Sequence, residues 1–165
     1  MKIKISGAGK RRLKQIEEAT DFFLFHLIPA YILKKLIVDI EIVDKCENDY
    51  LGLCISEDLK NDGDKSRKFK IFLKKRNLNI IRTLAHELVH LKQFSKGELG
   101  NERVASSKNY APIVSTYWKG KYWKPGKLQD DYWDAPWEIE AHGKEVGLFK
   151  KWDDYLNMKK WGNVK

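Results

Sequence analysis

Two histidines four residues apart, with a glutamate directly after the first, occur at His86-Glu87-Leu88-Val89-His90. Four residues are just over one helical turn, so the imidazoles stand one above the other and both can reach a single ion. Glu87 lies about 100° further round the helix. From there its carboxylate can reach a water beside the ion without being a ligand. Zinc held by three protein groups keeps a fourth position open and lowers the pKa of a water there to about 7. The chemistry served by this spacing is metal-assisted hydrolysis, with His86 and His90 as ligands and Glu87 as general base.

That chemistry needs a helix beneath it. From Asn79 to Phe94 the apolar residues Ile81, Leu84, Leu88 and Leu91 fall opposite the histidines, which is the stripe of an amphipathic helix. Asn77 or Asn79 suits the N-cap, and Gly97 suits the stop after Lys96. The pattern predicts a polar metal-binding face and a separate apolar packing face.

A catalytic zinc needs one more protein ligand. The best source is Pro136-Trp137-Glu138-Ile139-Glu140-Ala141-His142-Gly143-Lys144-Glu145, which opens the last helix with Pro136 at its first position. Glu138, His142 and Glu145 share one stripe, whereas Glu140 points nearly the other way. Glu138 and Glu140 therefore do not both face the metal on a regular helix.

These two segments, about a third of the chain, resemble the zinc metallopeptidases of the glutamate-ligand type, the gluzincins. In that family a downstream helix carries Glu-x-x-Ala/Ser followed by Asp or Asn. Matched by residue, the resemblance implies Glu138 as the third ligand and Ala141 as the small residue. His142 departs from the pattern, standing where the family has an acid or amide that supports a metal-binding histidine. It either takes that supporting role or is itself the ligand, with Glu140 the last choice. The run Pro-Trp-Glu-Ile-Glu-Ala also resembles short, uncharacterised phage-type metallopeptidases. The implied activity is hydrolysis of a peptide or protein substrate, with Glu87 passing the proton of the attacking water to the leaving amine. A tyrosine or histidine then holds the oxyanion, for which Tyr110, Tyr117, Tyr122 and Tyr132 are candidates. An edge strand beside the helix would bind substrate backbone, and chain order suggests the strand from Lys68 to Lys74.

Two other readings compete. Trp118-Lys119-Gly120-Lys121-Tyr122-Trp123-Lys124 interleaves bases with aromatics, so residues 118–127 could stack on single-stranded nucleic acid. SprT-like proteases, which also carry H-E-x-x-H, act on proteins attached to DNA and take a third histidine, here only His142. The simpler expectation is a basic hairpin whose aromatics cover the core. The third reading is a non-catalytic, zinc-stabilised interaction protein; an intact Glu87 weighs against it, because a structural site needs no base.

The 165-residue chain is 42% hydrophobic and 33% charged, the composition of a soluble globular protein. Its net charge of +9 favours acidic partners, but the lysines run from Lys2 to Lys165 without clustering and read as a solvated face. Cys46 and Cys54 make no disulfide framework, which points to an intracellular, cytoplasmic protein. Phe22 to Leu33 is too short to span a bilayer and contains His26 and Pro29, so no membrane segment is expected.

In chain order, Met1 to Ser6 suggests a strand. Lys10 to Leu36 suggests a helix broken near Pro29, burying Leu13, Ile16, Phe23, Leu24, Leu27 and Ile28 against a sheet, with His26 in or bordering the core. Three strands follow, Leu36–Val43, Tyr50–Ser56 and Lys68–Lys74, and the polar stretch Glu57 to Arg67 is a loop. Gly97 to Pro136 reads as irregular apart from a hairpin around residues 118–123. The expected fold is α+β and zincin-like, one domain over 1–165 acting as a monomer. It has an N-terminal helix on a small, mostly antiparallel sheet, then the H-E-x-x-H helix and a C-terminal helix bearing the last ligand.

Overall fold

Lys2, Lys4 and Ser6 alternate with Ile3 and Ile5 in a short first strand, and a helix then carries the chain back across the sheet. The computed structural model describes residues 1–107, 110–123 and 133–162, with 101–107 and 110–114 described by backbone alone. In order it forms β1 (Lys2–Ser6), α1 (Lys10–Leu27), α2 (Ala30–Leu33), β2 (Ile37–Val43), β3 (Gly52–Ser56), β4 (Lys68–Lys74) and α3 (Ile80–Ser95). These are followed by β5 (Leu99–Ser107), β6 (Tyr110–Trp118), β7 (Lys121–Trp123) and α4 (Pro136–Gly162). Pro29 separates α1 from α2, where its missing N–H and fixed φ interrupt the helix.

The fold is α+β with a small mixed sheet. Its strand order is β1-β2-β4-β3. The expectation of a mostly antiparallel sheet is corrected here. β1 and β2 are parallel, β2 and β4 are parallel, and only β3 runs antiparallel, against β4. The helix α1 crosses between β1 and β2, and a crossover returns the chain in the same direction. The order also corrects the choice of edge strand: β4 is internal and β3 forms the edge.

Alternation sets the burial. Val38, Ile40, Ile42, Phe69, Ile71 and Leu73 turn inward under the helices, while Lys70 meets Glu41 on the outer face. From α1, Ile16, Phe23 and Leu24 are buried, as is Ile28 just after it, and α1 lies against α3 and β1. Leu13 and Leu27 are partly buried. His26 is exposed rather than in the core; its Nδ1 donates to the Phe22 carbonyl 2.8 Å away.

The segment after α3 is not irregular. β5, β6 and β7 form a second, antiparallel sheet, with the hairpin turn at Lys119-Gly120 where the sequence suggested one. Polar β5 gives no periodic signal, and its strand exists through pairing across the sheet. Pro112 sits in β6 where the register with β5 shifts, a position that tolerates a proline. Trp118 and Trp123 both pack on Trp137 at the start of α4. Residues 124–127 of the suggested nucleic-acid segment lie outside the described residues. Among the described residues no helix is long and apolar enough to cross a membrane.

Candidate metal centre

All of α3 is buried except Arg82, Thr83 and Phe94. The expected apolar stripe packs on the sheet and α1, but the histidine face is not open to solvent, because α4 lies across it. Asn79 occupies the N-cap position without a side-chain cap bond. Asn77 takes over the capping, accepting from the Asn79 N–H and donating to the Thr83 hydroxyl. At the other end Gly97 has φ +71°, its N–H donates to the Phe94 carbonyl, and Glu98 N–H donates to the Gln93 carbonyl. That is a Schellman stop, as the glycine suggested.

The helix α4 buries Glu138, Ala141, Glu145, Leu148 and Trp152 on one stripe. Ala141 is fully buried, and so small a residue lets the two helices approach closely enough for Glu138 and Glu145 to reach α3. His86 Nε2 and His90 Nε2 are 3.1 Å apart. Glu138 spans them, with Oε2 3.3 Å from His86 Nε2 and Oε1 3.4 Å from His90 Nε2. For zinc bonded at its usual lengths in a tetrahedron, neighbouring ligand atoms are about 3.3 Å apart.

The protons on these rings follow from their other contacts. His86 Nδ1 lies 2.9 Å from Glu145 Oε2, an acceptor only, so Nδ1 carries the hydrogen. His90 Nδ1 lies 2.9 Å from Gln93 Oε1. The amide is oriented by its other end, since Gln93 Nε2 donates to the Trp137 carbonyl and to Glu140. Both histidines thus turn the lone pair of Nε2 toward the Glu138 carboxylate. Three acceptors converging in a buried site repel one another unless a cation lies between them. The field acts on protons too. Burial opposes a charged His90, but the hydrogen bond to Glu138, the charges of Glu87 and Glu138 and the bond to Gln93 outweigh it, raising its pKa to about 9. These residues fit a metal by donor type, spacing and tautomer.

Two chains of hydrogen bonds support His86 and His90. Arg82 holds Glu145, which holds His86. Lys92 holds Glu140, which takes Gln93, which holds His90. Burial would raise the Glu140 carboxyl, but bonds from Lys92 and Gln93 bring it below the usual range. Glu140 is therefore a support two steps from His90, bonded to Lys92 and Gln93 and outside the group of His86, His90 and Glu138. His142 lies with its ring 4.5 Å from that of His86, and its Nδ1 is 3.6 Å from Glu145. It belongs to a second three-donor group with His86 and Glu145, not to the one containing His90. The supporting role that the resemblance implied for position 142 is filled by Glu145, one turn further on. Arg82 and Gln93 were not anticipated, although both lie on the His86 side of the helical wheel.

Glu87 is buried beside the edge strand. Cys54 N–H hydrogen-bonds its carboxylate, and a Cβ on Gly52 would lie 2.6 Å from its Oε1. Burial pushes the Glu87 carboxyl up, against the opposing pull of the two histidines. Leu51 and Glu57 bond to β4 at either end of β3, so the residues between alternate, and Gly52, Cys54 and Ser56 turn their backbone groups to the free edge. A cleft of about 330 Å³ opens here, lined by Tyr50, Leu51, Arg82, Thr83, His86 and Glu87 among others. Tyr117 and Tyr122 do not line it. Tyr122 hydroxyl donates to Asp62, and Tyr117 hydroxyl lies against Gly63. The side chains of Tyr110 and Tyr132 lie outside the described residues. No family model, curated protein or solved structure matches the chain.

Proposed function

We propose that the protein is a zinc-dependent metallopeptidase with a zincin-like arrangement, in which His86, His90 and Glu138 hold the metal and Glu87 is the general base. The observation that carries this reading is the buried triangle of His86 Nε2, His90 Nε2 and the Glu138 carboxylate, with both Nδ1 atoms committed elsewhere. Zinc bound there would polarise the scissile carbonyl and acidify a water.

Glu87 lines the cleft together with His86. A buried, raised carboxyl is a stronger base than an exposed one. It takes the proton of the attacking water and delivers it to the leaving amine. The edge of β3 offers the backbone groups of Gly52 and Ser56 and the Cys54 carbonyl, the Cys54 N–H being held by Glu87, to an extended peptide that pairs antiparallel and passes Glu87. Among the described residues no fourth protein donor joins the triangle, which favours an open catalytic site over a closed structural one.

The experiment is zinc content per chain and cleavage of a mixed peptide library, in wild type, His90→Ala and Glu87→Gln. The reading expects one zinc and cleavage in wild type, neither in His90→Ala, and zinc without cleavage in Glu87→Gln. Cleavage retained by Glu87→Gln would remove the assigned base.

A further inference from the structure

We propose that Arg82 reads a carboxylate on the substrate, borne by an acidic side chain or by the chain terminus, on the C-terminal side of the bond to be cut. The inference rests on the peptidase reading above and names the substrate class of that site.

Arg82 is the one charged residue of α3 that stays half-exposed, with 46% of its side chain accessible, and it lines the cleft. Its side edge is occupied, since Nε and Nη2 donate to Glu145 Oε1 at 3.0 and 2.7 Å. An arginine has five N–H groups. Two are spent on Glu145, and among the described residues no other group takes the rest. The outer edge, with parallel N–H groups on Nη1 and Nη2, is the fork that a carboxylate fits bidentately. Glu145 is anchored in turn on His86, so the guanidinium is held in place and little side-chain entropy remains to be lost on binding.

Charge does not oppose a carboxylate here. With a divalent ion bound, its two charges and that of Arg82 balance those of Glu87, Glu138 and Glu145. Position sets the register. Arg82 stands one turn before His86, about 5.4 Å along α3, and an extended peptide advances about 3.3 Å per residue. The carboxylate therefore falls one or two residues from the scissile bond. Tyr50, Leu51 and Gly52 place the cleft at the N-terminal end of β3, and a peptide pairing antiparallel to β3 meets that end with its C-terminal side. Tyr50 and Leu51, half-exposed on the rim, offer apolar contact to the neighbouring side chain.

The test uses zinc-loaded Glu87→Gln protein, which binds without turnover, and two probe pairs. One pair is N-acetyl-Leu-Asp-amide against N-acetyl-Leu-Asn-amide; the other is N-acetyl-Leu-Leu with a free carboxylate against its amide. Affinities are titrated while the Arg82 Nε–H resonance is followed by NMR. The expected result is that at least one acid binds about tenfold or more tighter than its amide and shifts that resonance. Which pair responds distinguishes side chain from terminus. In Arg82→Gln the preference should vanish, and in Arg82→Lys most of it should, with zinc content measured in each. Equal binding of acids and amides overturns the inference. So does a preference that survives in Arg82→Gln, which would put the carboxylate on the metal. Should the Arg82 variants fail to fold, the Arg82 resonance still decides: an acid that binds without shifting it overturns the inference. If wild type cleaves no peptide while the acid preference stands, the peptidase reading and the placement relative to a scissile bond fall and Arg82 remains a carboxylate-binding residue; if it cleaves without that preference, only this inference falls.

Discussion

Glu145 joins two residues of α3 across the helix pair: its Oε2 accepts from His86 Nδ1 at 2.9 Å and its Oε1 takes Arg82 at 2.7 Å. One carboxylate thereby fixes the tautomer of His86 and the angle of a cleft-lining cation. Groups that hold a ligating histidine from behind are worth about 10–100-fold in metal affinity. Glu145→Ala should weaken zinc binding by about that factor, read by competition with a chromophoric chelator. An unchanged affinity would mean that helix packing alone orients His86.

Gln93 makes the matching contact to His90, and its amide nitrogen is fully engaged by the Trp137 carbonyl and Glu140. Gln93→Leu keeps the volume but leaves Glu140 and the Trp137 carbonyl without that donor. We expect a stability loss of about 1–3 kcal/mol by chemical denaturation and a zinc affinity lowered at least about tenfold. A variant as stable and as tightly metallated as wild type would contradict the second support chain.

Ala141 decides how near α4 comes to α3. Ala141→Leu adds three carbons to a fully buried site, at a cost of about 1–3 kcal/mol. The added bulk should push the helices apart and lift Glu138 from the histidines. The folded variant is expected to bind zinc with two histidines and no carboxylate, visible in the absorption spectrum of a cobalt-substituted sample. A wild-type cobalt spectrum would show that Glu138 needs no close approach.

Gly52 has a different role. A Cβ there meets Glu87 Oε1 at 2.6 Å and Thr83 Cγ2 at 2.7 Å, so the carboxylate must move. Gly52→Ala is predicted to lower kcat while leaving zinc content at the wild-type level. Full activity would mean that the base works from a displaced position.

The proton held by His90 links metal and pH. Its pKa is raised from 6.5 to about 9, burial being outweighed by Glu138, Glu87 and Gln93. A raised folded-state value stabilises the metal-free protein fully below about pH 6.5, and that contribution is lost as pH rises through about 9. Metal-free protein should therefore lose melting temperature between those limits. Zinc binding near pH 7.5 should release about one proton, measured by calorimetry in buffers of different ionisation enthalpy. No release would place His90 among the neutral histidines.

What the sequence determined by itself was local. The four-residue spacing of His86 and His90, the stop at Gly97, the break at Pro29 and the alternation of Val38, Ile40 and Ile42 depend on helix and strand periods, which act over a few residues. The shared stripe of Glu138, His142 and Glu145 was equally readable. The tertiary structure decided which partner each stripe met. Strand order is set by crossovers rather than by composition, so β3 and not β4 became the edge beside Glu87. Polar β5 became a strand only by pairing. Glu145 rather than His142 took the bond to His86, because the closeness of the helices at Ala141, and not the stripe itself, fixes which side chain reaches across. The cleft position of Arg82 likewise arises where α3, α4 and the start of β3 meet, a junction that no single segment encodes.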